Sequence, residues 1–495
     1  DNSNMTVTVN EHNMKATANS TVTLTNGSNV TVAGGYQGVG VSIDATSSMT
    51  MAKSIFVSKI NNYHYTSLQE ALNAAQDGET IKLIADEIFT EDNRTNSSGT
   101  WYEGVYYVGD KNFTIDLNNY KVTQNGAVND YMFLFKNDGG KDNTITFKNG
   151  TIDAGINAYC AICTSTTSTQ KITINTENIN FTGNNSNGAV LKIRGGAELN
   201  VNAGTVITGE NSYVGIESYD ATVNIYDGAE IYQNGTTSYN GCLVGVSGNG
   251  TVNVYGGYGK GVSGGFIAMT SGGTINVAGG EWIANTDGTY ANDNNSVLIA
   301  QSADGASSIV NVTGGIFRGG YNCYGAAVGD AQINIRGGNF NADPSAYCAA
   351  GYIAKDNGNG TFSVVEDQVA KIGDETYKFL HEAFDAAQDG DEIVVLKNIT
   401  YTKANGDVNG EYIDGLVYTG DKSFTVDFGG YTITDNGEIN DYLVYLKNQG
   451  EKDNEITFKN STIAINTTAW AAITVGANSA THKTTLNLNE MEVVN

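Results

Sequence analysis

The segment TVNVYGG (Thr251–Gly257) constrains this chain most, because it returns repeatedly in altered spelling. Written in register, GAELNVNAGTVITG, ATVNIYDGAEIYQNG, GTINVAGGEWIAN, SSIVNVTGGIFRGG and AQINIRGGNFNAD follow one another. Each is trailed by a looser apolar stretch such as GAVLKIRG or GCLVGVSG. The spacing is about 25 residues with loops of variable length, a period that belongs to stacked repeats. In TVNVYGG the two valines point one way and the asparagine the other, because side chains alternate across a strand. A unit this short cannot bury its own apolar row, so each must lie on the next, with strands parallel and in register. That places Asn200, Asn224, Asn253, Asn276, Asn311 and Asn334 in one outward stack, whose amides are expected to bond along the ladder. The Gly-Gly corners supply positive φ or close backbone approach. Proline is confined to Pro344 because nearly every N–H is needed by the neighbouring coil. The pattern reads as a parallel β-solenoid.

A longer repeat contains the short one. TSLQEALNAAQDGETIKLIAD (Thr66–Asp86) is answered by KFLHEAFDAAQDGDEIVVLKN (Lys378–Asn398), and KDNTITFKNGTI by KDNEITFKNSTI. Leu68, Ala71, Leu72 and Ala75 fall on one helical face, as do Leu380, Ala383, Phe384 and Ala387. Helices are therefore expected near 67–77 and 379–389, with Ser67 as an N-cap and Asp77-Gly78 and Asp389-Gly390 as stops. A stack of strands has open edges that invite aggregation, and a short amphipathic helix laid across the first coil would close one. The expected division is 1–55 as the last coils of a preceding solenoid, 56–366 as a complete module, and 367–495 as the start of a second. The second copy runs out opposite Gly183 of the first, so the natural protein is expected to continue. The start at Asp1 leaves export open.

Charge and cysteine usage exclude some partners. The formal net charge is −27 and the 26 basic residues are scattered, so no nucleic-acid partner is expected. With 40% hydrophobic residues and 28 Tyr the chain is too apolar for a solvated coil. It has no apolar run of about 18 residues, so no membrane insertion is expected of this segment. Cys160, Cys163, Cys242, Cys323 and Cys348 are odd in number and irregular in spacing, which is not a disulfide framework. CAIC has neither a second pair nor a nearby His to complete a zinc site, so buried small hydrophobes are expected.

A capping helix of the form SLQEALNAAQDGETIKL leading into Gly-rich coils resembles the pectin-lyase-like proteins. The stretch GGNFNADPSAYCAAGYIAKDNGNGTFSVV is similar to the closing segment of repeat-bearing surface proteins of Gram-positive gut anaerobes, and adhesin-like proteins of gut methanogens are similar in general style. The resemblance implies an all-β chain of tandem right-handed parallel β-helix (β-solenoid) modules, each with a short N-terminal capping helix. That fold hosts pectate lyases, polygalacturonases and tailspike hydrolases, so it does not decide activity. Polygalacturonase-like sites combine NTD, DD, GHG and RIK; here only NTD is present, at Asn285, Thr286 and Asp287, in a turn-forming stretch.

The internal repeat is a further filter. The second copy contains no Arg, and Cys160 and Cys163 fall opposite Ala471 and Thr474, so the copies share helix, strands and turns rather than chemistry. No catalytic, cofactor-binding or metal residue is assigned. Asn137–Asn143 and Asn448–Glu455 are oxygen-rich loops in which a structural Ca²⁺ is the minor alternative to a plain turn. The rings of WYEGVYYVGD could stack on sugars, but Tyr106 and Tyr107 are expected to cover the first coils. The many N-x-S/T triplets, such as Asn93-Arg-Thr, Asn249-Gly-Thr and Asn26-Gly-Ser, follow from composition. The expected function is a non-catalytic, secreted surface protein acting in adhesion. Its expected partner is a host or microbial glycan or a surface protein, with self-association into fibres open. The alternatives are a polysaccharide lyase or hydrolase and a structural filament subunit.

Overall fold

The computed structural model describes residues 57–494 apart from 62, 97–98, 236–240, 263, 270, 285–295, 303–305, 326–329, 466–467 and 477–479. Before residue 57 it describes only the backbones of seven short strands between Asn4 and Met51, and over Tyr321–Gly325 the backbone alone. The NTD triplet, Asn26-Gly-Ser and the side chains of His12 and Cys323 lie outside the described residues. The protein is all-β. Among the described residues, α1 (Leu68–Ala74) and α2 (Leu380–Ala386) are the α-helices. The chain divides into two compact units, residues 1–349 with 354–364, and residues 350–353 with 365–495.

In the first unit a nine-stranded sheet runs from Val105–Val108 to Tyr321–Gly325, every strand parallel to the next. A longer sheet bends round a corner inside single strands. Asn143–Asp153 pairs Phe113–Asp116 through its first half and Lys121–Gln124 through its second. The bend is at Asn149, whose φ of 58° is a left-handed conformation that Asn tolerates. The period-two reading holds along this sheet. Leu199, Val223, Val252, Ile275, Val310 and Ile333 pair in sequence and are buried. Burial of each such side chain contributes about 1.5–3 kcal/mol relative to exposure.

One residue further along each strand the asparagines form the expected ladder. Asn200 donates from Nδ2 to Asn175 Oδ1 at 2.9 Å, Asn224 to Asn200 at 2.9 Å, and Asn253 to Asn224 at 3.0 Å. Asn276, Asn311 and Asn334 continue it at 3.0, 3.0 and 3.2 Å. The ladder thus begins one strand earlier than the repeat alone indicated, at Asn175. Each corner glycine pair divides two tasks. A Cβ on Gly314 would lie 2.3 Å from the Ala278 carbonyl oxygen of the neighbouring turn, and Gly315 has φ of +105°.

Around the helix that starts each copy, the strands turn antiparallel. Ser58–Ile60 pairs antiparallel with Glu79–Leu83, and Ala370–Ile372 with Glu392–Val395. The helix face lies over this start: Leu68, Ala71 and Leu72 of α1 and the following Ala75 are buried, as are Leu380, Ala383 and Phe384 of α2 and the following Ala387. Ser67 caps α1 by accepting the Glu70 N–H at 3.2 Å. Both helices are shorter than the 67–77 and 379–389 expected. Ala75 and Ala387 are already extended, with ψ of 139°. The Asp-Gly pair joins the next strand instead. Gly78 donates to Asn112 O at 2.7 Å, and Asp77 Oδ1 accepts the Asn112 N–H at 2.7 Å. Gly390 and Asp389 do the same with Ser423.

Candidate functional site

The calcium loops are turns built around an amide. The Asn137 side chain is buried, and its Nδ2 donates to Lys141 O and Asn143 Oδ1, each at 3.0 Å, while its Oδ1 accepts the Gly139 N–H. Asn448 repeats this with Lys452 O, Asn454 Oδ1 and Gly450. In the first loop the carboxylates are engaged elsewhere, Asp138 with Lys136 at 2.6 Å and Asp142 with the Lys171 N–H at 2.9 Å. Among the described residues no three His, Cys, Asp or Glu side chains converge on a metal position.

Cys160, Cys163 and Cys242 are buried free thiols, and Cys348 is half-buried. Cys160 and Cys163 pack with Leu134 on one face of the nine-stranded sheet, against Tyr106 and Tyr131. Arg194 donates to Cys163 Sγ at 2.9 Å and to the Tyr131 hydroxyl at 3.1 Å. Burial pushes the Cys163 thiol up, but the Cys160 hydrogen bond and the Arg194 charge outweigh it and the net shift is downward. Of the two tyrosines expected to be covering residues, Tyr107 is buried with its ring edge-on to Phe113 at 5.0 Å, and Tyr106 is half-buried.

One constellation shared by the two copies was not singled out from the sequence. A hairpin tip brings Glu103 of the first copy to Asn129-Asp130 one strand further on. Tyr102 donates its N–H to Asn129 Oδ1 at 2.8 Å, and Asn129 and Asp130 donate theirs to Tyr102 O. The second copy repeats the clasp. Ile413 donates to Asn440 Oδ1 at 2.7 Å, Asn440 and Asp441 donate to Ile413 O, and Asp414 stands where Glu103 does. Each copy therefore holds two neighbouring carboxylates, Glu103 with Asp130 and Asp414 with Asp441. Burial, then the Glu103 charge, pushes Asp130 up to about 6. Burial raises Asp414 against a Tyr442 N–H bond of 2.9 Å, and burial also raises Asp441.

Aromatic rings flank both pairs. Trp101 and its counterpart Tyr412 are 53% and 59% exposed, and Trp470, the counterpart of Tyr159, is 77% exposed. Tyr131 meets Tyr159 edge-on at 6.3 Å, and Tyr442 lies 5.1 Å from Tyr445. In the first copy cations cover part of this surface. Arg94 sits 3.6 Å over the Tyr102 ring, and Lys192, paired with Glu217 at 2.8 Å, lies 5.3 Å from the Tyr159 ring. The second copy has Gly406 at the position of Arg94, identified by the shared bonds of Arg94 N–H to Thr90 O and Gly406 N–H to Thr402 O. An exposed ring can stack on the apolar face of a sugar; Glu103 and Asp414 are buried, so the half-buried Asp130 and Asp441 are the acids that can accept its hydroxyls. The signal was present in the sequence, since an acid precedes the Gly in both WYEG and YIDG and Asn-Asp-Tyr recurs. Comparison of the chain with protein-family models, with curated proteins and with solved structures finds no match.

Proposed function

We propose that both units are β-solenoids of the right-handed parallel β-helix type, related in style to pectin-lyase-like surface proteins. In this reading they form a non-catalytic, extracellular stalk acting in adhesion. The observation that carries it is the register: each repeat adds one parallel strand bonded to the last through the same asparagine row. Each step therefore adds about 4.8 Å of length at little sequence cost. Right-handedness follows from the strong preference of parallel crossover connections. The aromatic–carboxylate faces, present once per copy, are the contact surface for a host or microbial glycan or a surface protein. Retention of the protein on glycan-coated beads tests this. The double variant Trp101→Ala, Trp470→Ala should lose at least tenfold in retention while melting as the parent does; undiminished retention would remove the face from the proposal.

A hydrolase is the second reading, favoured by one observation. Asp130, raised to about 6 by burial and the Glu103 charge, is the kind of carboxyl that can act as the acid in cleavage of a glycosidic bond. Incubation with pectins and host glycans distinguishes the two. The adhesive reading predicts no new reducing ends, and turnover abolished by Asp130→Asn would establish the enzyme. A filament subunit would show a fixed helical repeat in micrographs of the native surface.

A further inference from the structure

The two copies treat one sheet edge differently. In the first copy Val105–Val108 has no strand beyond it among the described residues, and Gln69 of α1 closes that edge. Tyr106 N–H donates to Gln69 Oε1 at 2.8 Å, and Gln69 Nε2 donates to Tyr106 O at 3.0 Å. Gln69 is itself steadied by Asn73 Oδ1 at 2.9 Å. In the second copy His381 replaces Gln69, and its ring turns aside to stack on Phe379 at 5.4 Å with planes 11° apart. Val417 replaces Tyr106 on the edge strand Leu416–Tyr418, and among the described residues no side chain bonds its N–H or C=O. A cleft of about 390 Å³ opens there, lined by His381, Asp385, Gly406, Asp407, Gly415, Val417 and Thr419. Of these, Gly415 matches Gly104 of the first copy, and each of the others stands where the first copy has a different side chain.

We infer that this cleft binds a neutral hexopyranoside through a vicinal pair of hydroxyls. Gln69 shows what the edge accepts: adjacent acceptor and donor atoms presented side by side, one to the backbone N–H and one to the C=O. A trans secondary amide cannot supply them, because its N–H and C=O point in opposite directions. An extended peptide is blocked as well, since α2 and the Asp407–Asn409 hairpin strand flank the three-residue edge. A vicinal diol fits, because each hydroxyl both donates and accepts. One would accept from Val417 N–H and the other donate to Val417 O. Asp385 and Asp407 at the rim accept further hydroxyls and repel acidic sugars. The volume is that of a small-ligand site.

The inference deepens the adhesive reading, on which it rests, by naming the ligand chemistry. Its test is an NMR titration of the whole chain with methyl β-D-glucopyranoside and methyl β-D-galactopyranoside, following the Val417 amide. We expect saturable shifts at Val417, weaker binding of glucuronic acid, and at least a tenfold loss of affinity in His381→Gln, which supplies the first copy's own closure. Gln69→Ala should create a second site at Tyr106. An unmoved Val417 amide, equal binding of glucuronic acid, or full affinity in His381→Gln would overturn it. Glycan-bead retention by the same samples separates the two failures. Retention without Val417 shifts sinks only this cleft, and loss of both sinks the adhesive reading too.

Discussion

Two copies of one starting coil, read side by side, show which residues the architecture requires and which it merely tolerates. Both keep the helix face, the Asp-Gly joint, the buried Asn137 or Asn448 turn, and the clasp that pairs two carboxylates. They differ beneath the helix. The first copy buries Glu87, whose carboxylate accepts the Leu68 N–H at 3.2 Å and the Asn93 amide at 3.0 Å; the second has Ile399 at that position. The first has Phe89 in its core where the second has Tyr401, whose buried hydroxyl has no hydrogen-bond partner among the described residues. The first caps its helix with Ser67. The second has Phe379, which offers no acceptor, and keeps only the Glu382 carboxylate reaching back to the Lys378 and Phe379 N–H groups. Each copy thus carries one polar burial that the other shows to be dispensable.

Glu87 gives the largest expected effect. Burial raises its pKa from 4.5 to about 8. Between those values the unfolded chain gives up the proton while the folded one keeps it. The Glu87 contribution to stability of the first unit is therefore fully present below about pH 4.5, is lost as pH rises toward 8, and is level above it. The full change is on the order of 5 kcal/mol at about 1.4 kcal/mol per unit. Glu87→Gln should flatten the profile, measured by hydrogen exchange with mass-spectrometric readout of each unit. Moving the acid to the other copy is the reciprocal test. Ile399→Glu should cost the second unit about 3 kcal/mol at pH 9 and less at pH 5, by denaturant titration. Tyr401→Phe, which restores the first copy's residue, should stabilise the second unit by about 1 kcal/mol by removing an unpartnered hydroxyl. Phe379→Ser should add about 0.5 kcal/mol through a restored cap, read as slower exchange at the start of α2.

What the sequence disclosed and what it hid divide along a physical line. Features fixed by neighbours in the chain were legible: the alternation in TVNVYGG, the four-residue helix face, the Gly-Gly corners. The asparagine ladder was legible because one row of a repeat must stack on itself. Features made by two strands meeting were not. Glu103 and Asp130 are distant in sequence and become neighbours only when one coil closes. Gln69 reads as a surface helix residue until its bonds to Tyr106 are seen. The early end of α1 was hidden for the same reason, since Asn112 claims Asp77 and Gly78 from another strand. Within the described residues, no helix is long and apolar enough to cross a membrane.

The account depends on strands that advance one position per repeat in an unbroken row. Spin labels introduced as unnatural side chains at Glu198, Thr274 and Gln332 sample that row directly, since Glu198, Thr222, Thr251, Thr274, Ile309 and Gln332 pair in sequence. With about 4.8 Å per step, the 198–274 and 198–332 pairs should differ in mean distance by about 10 Å, both with narrow distributions. Equal distances, or distributions broad enough to overlap, would contradict the stack.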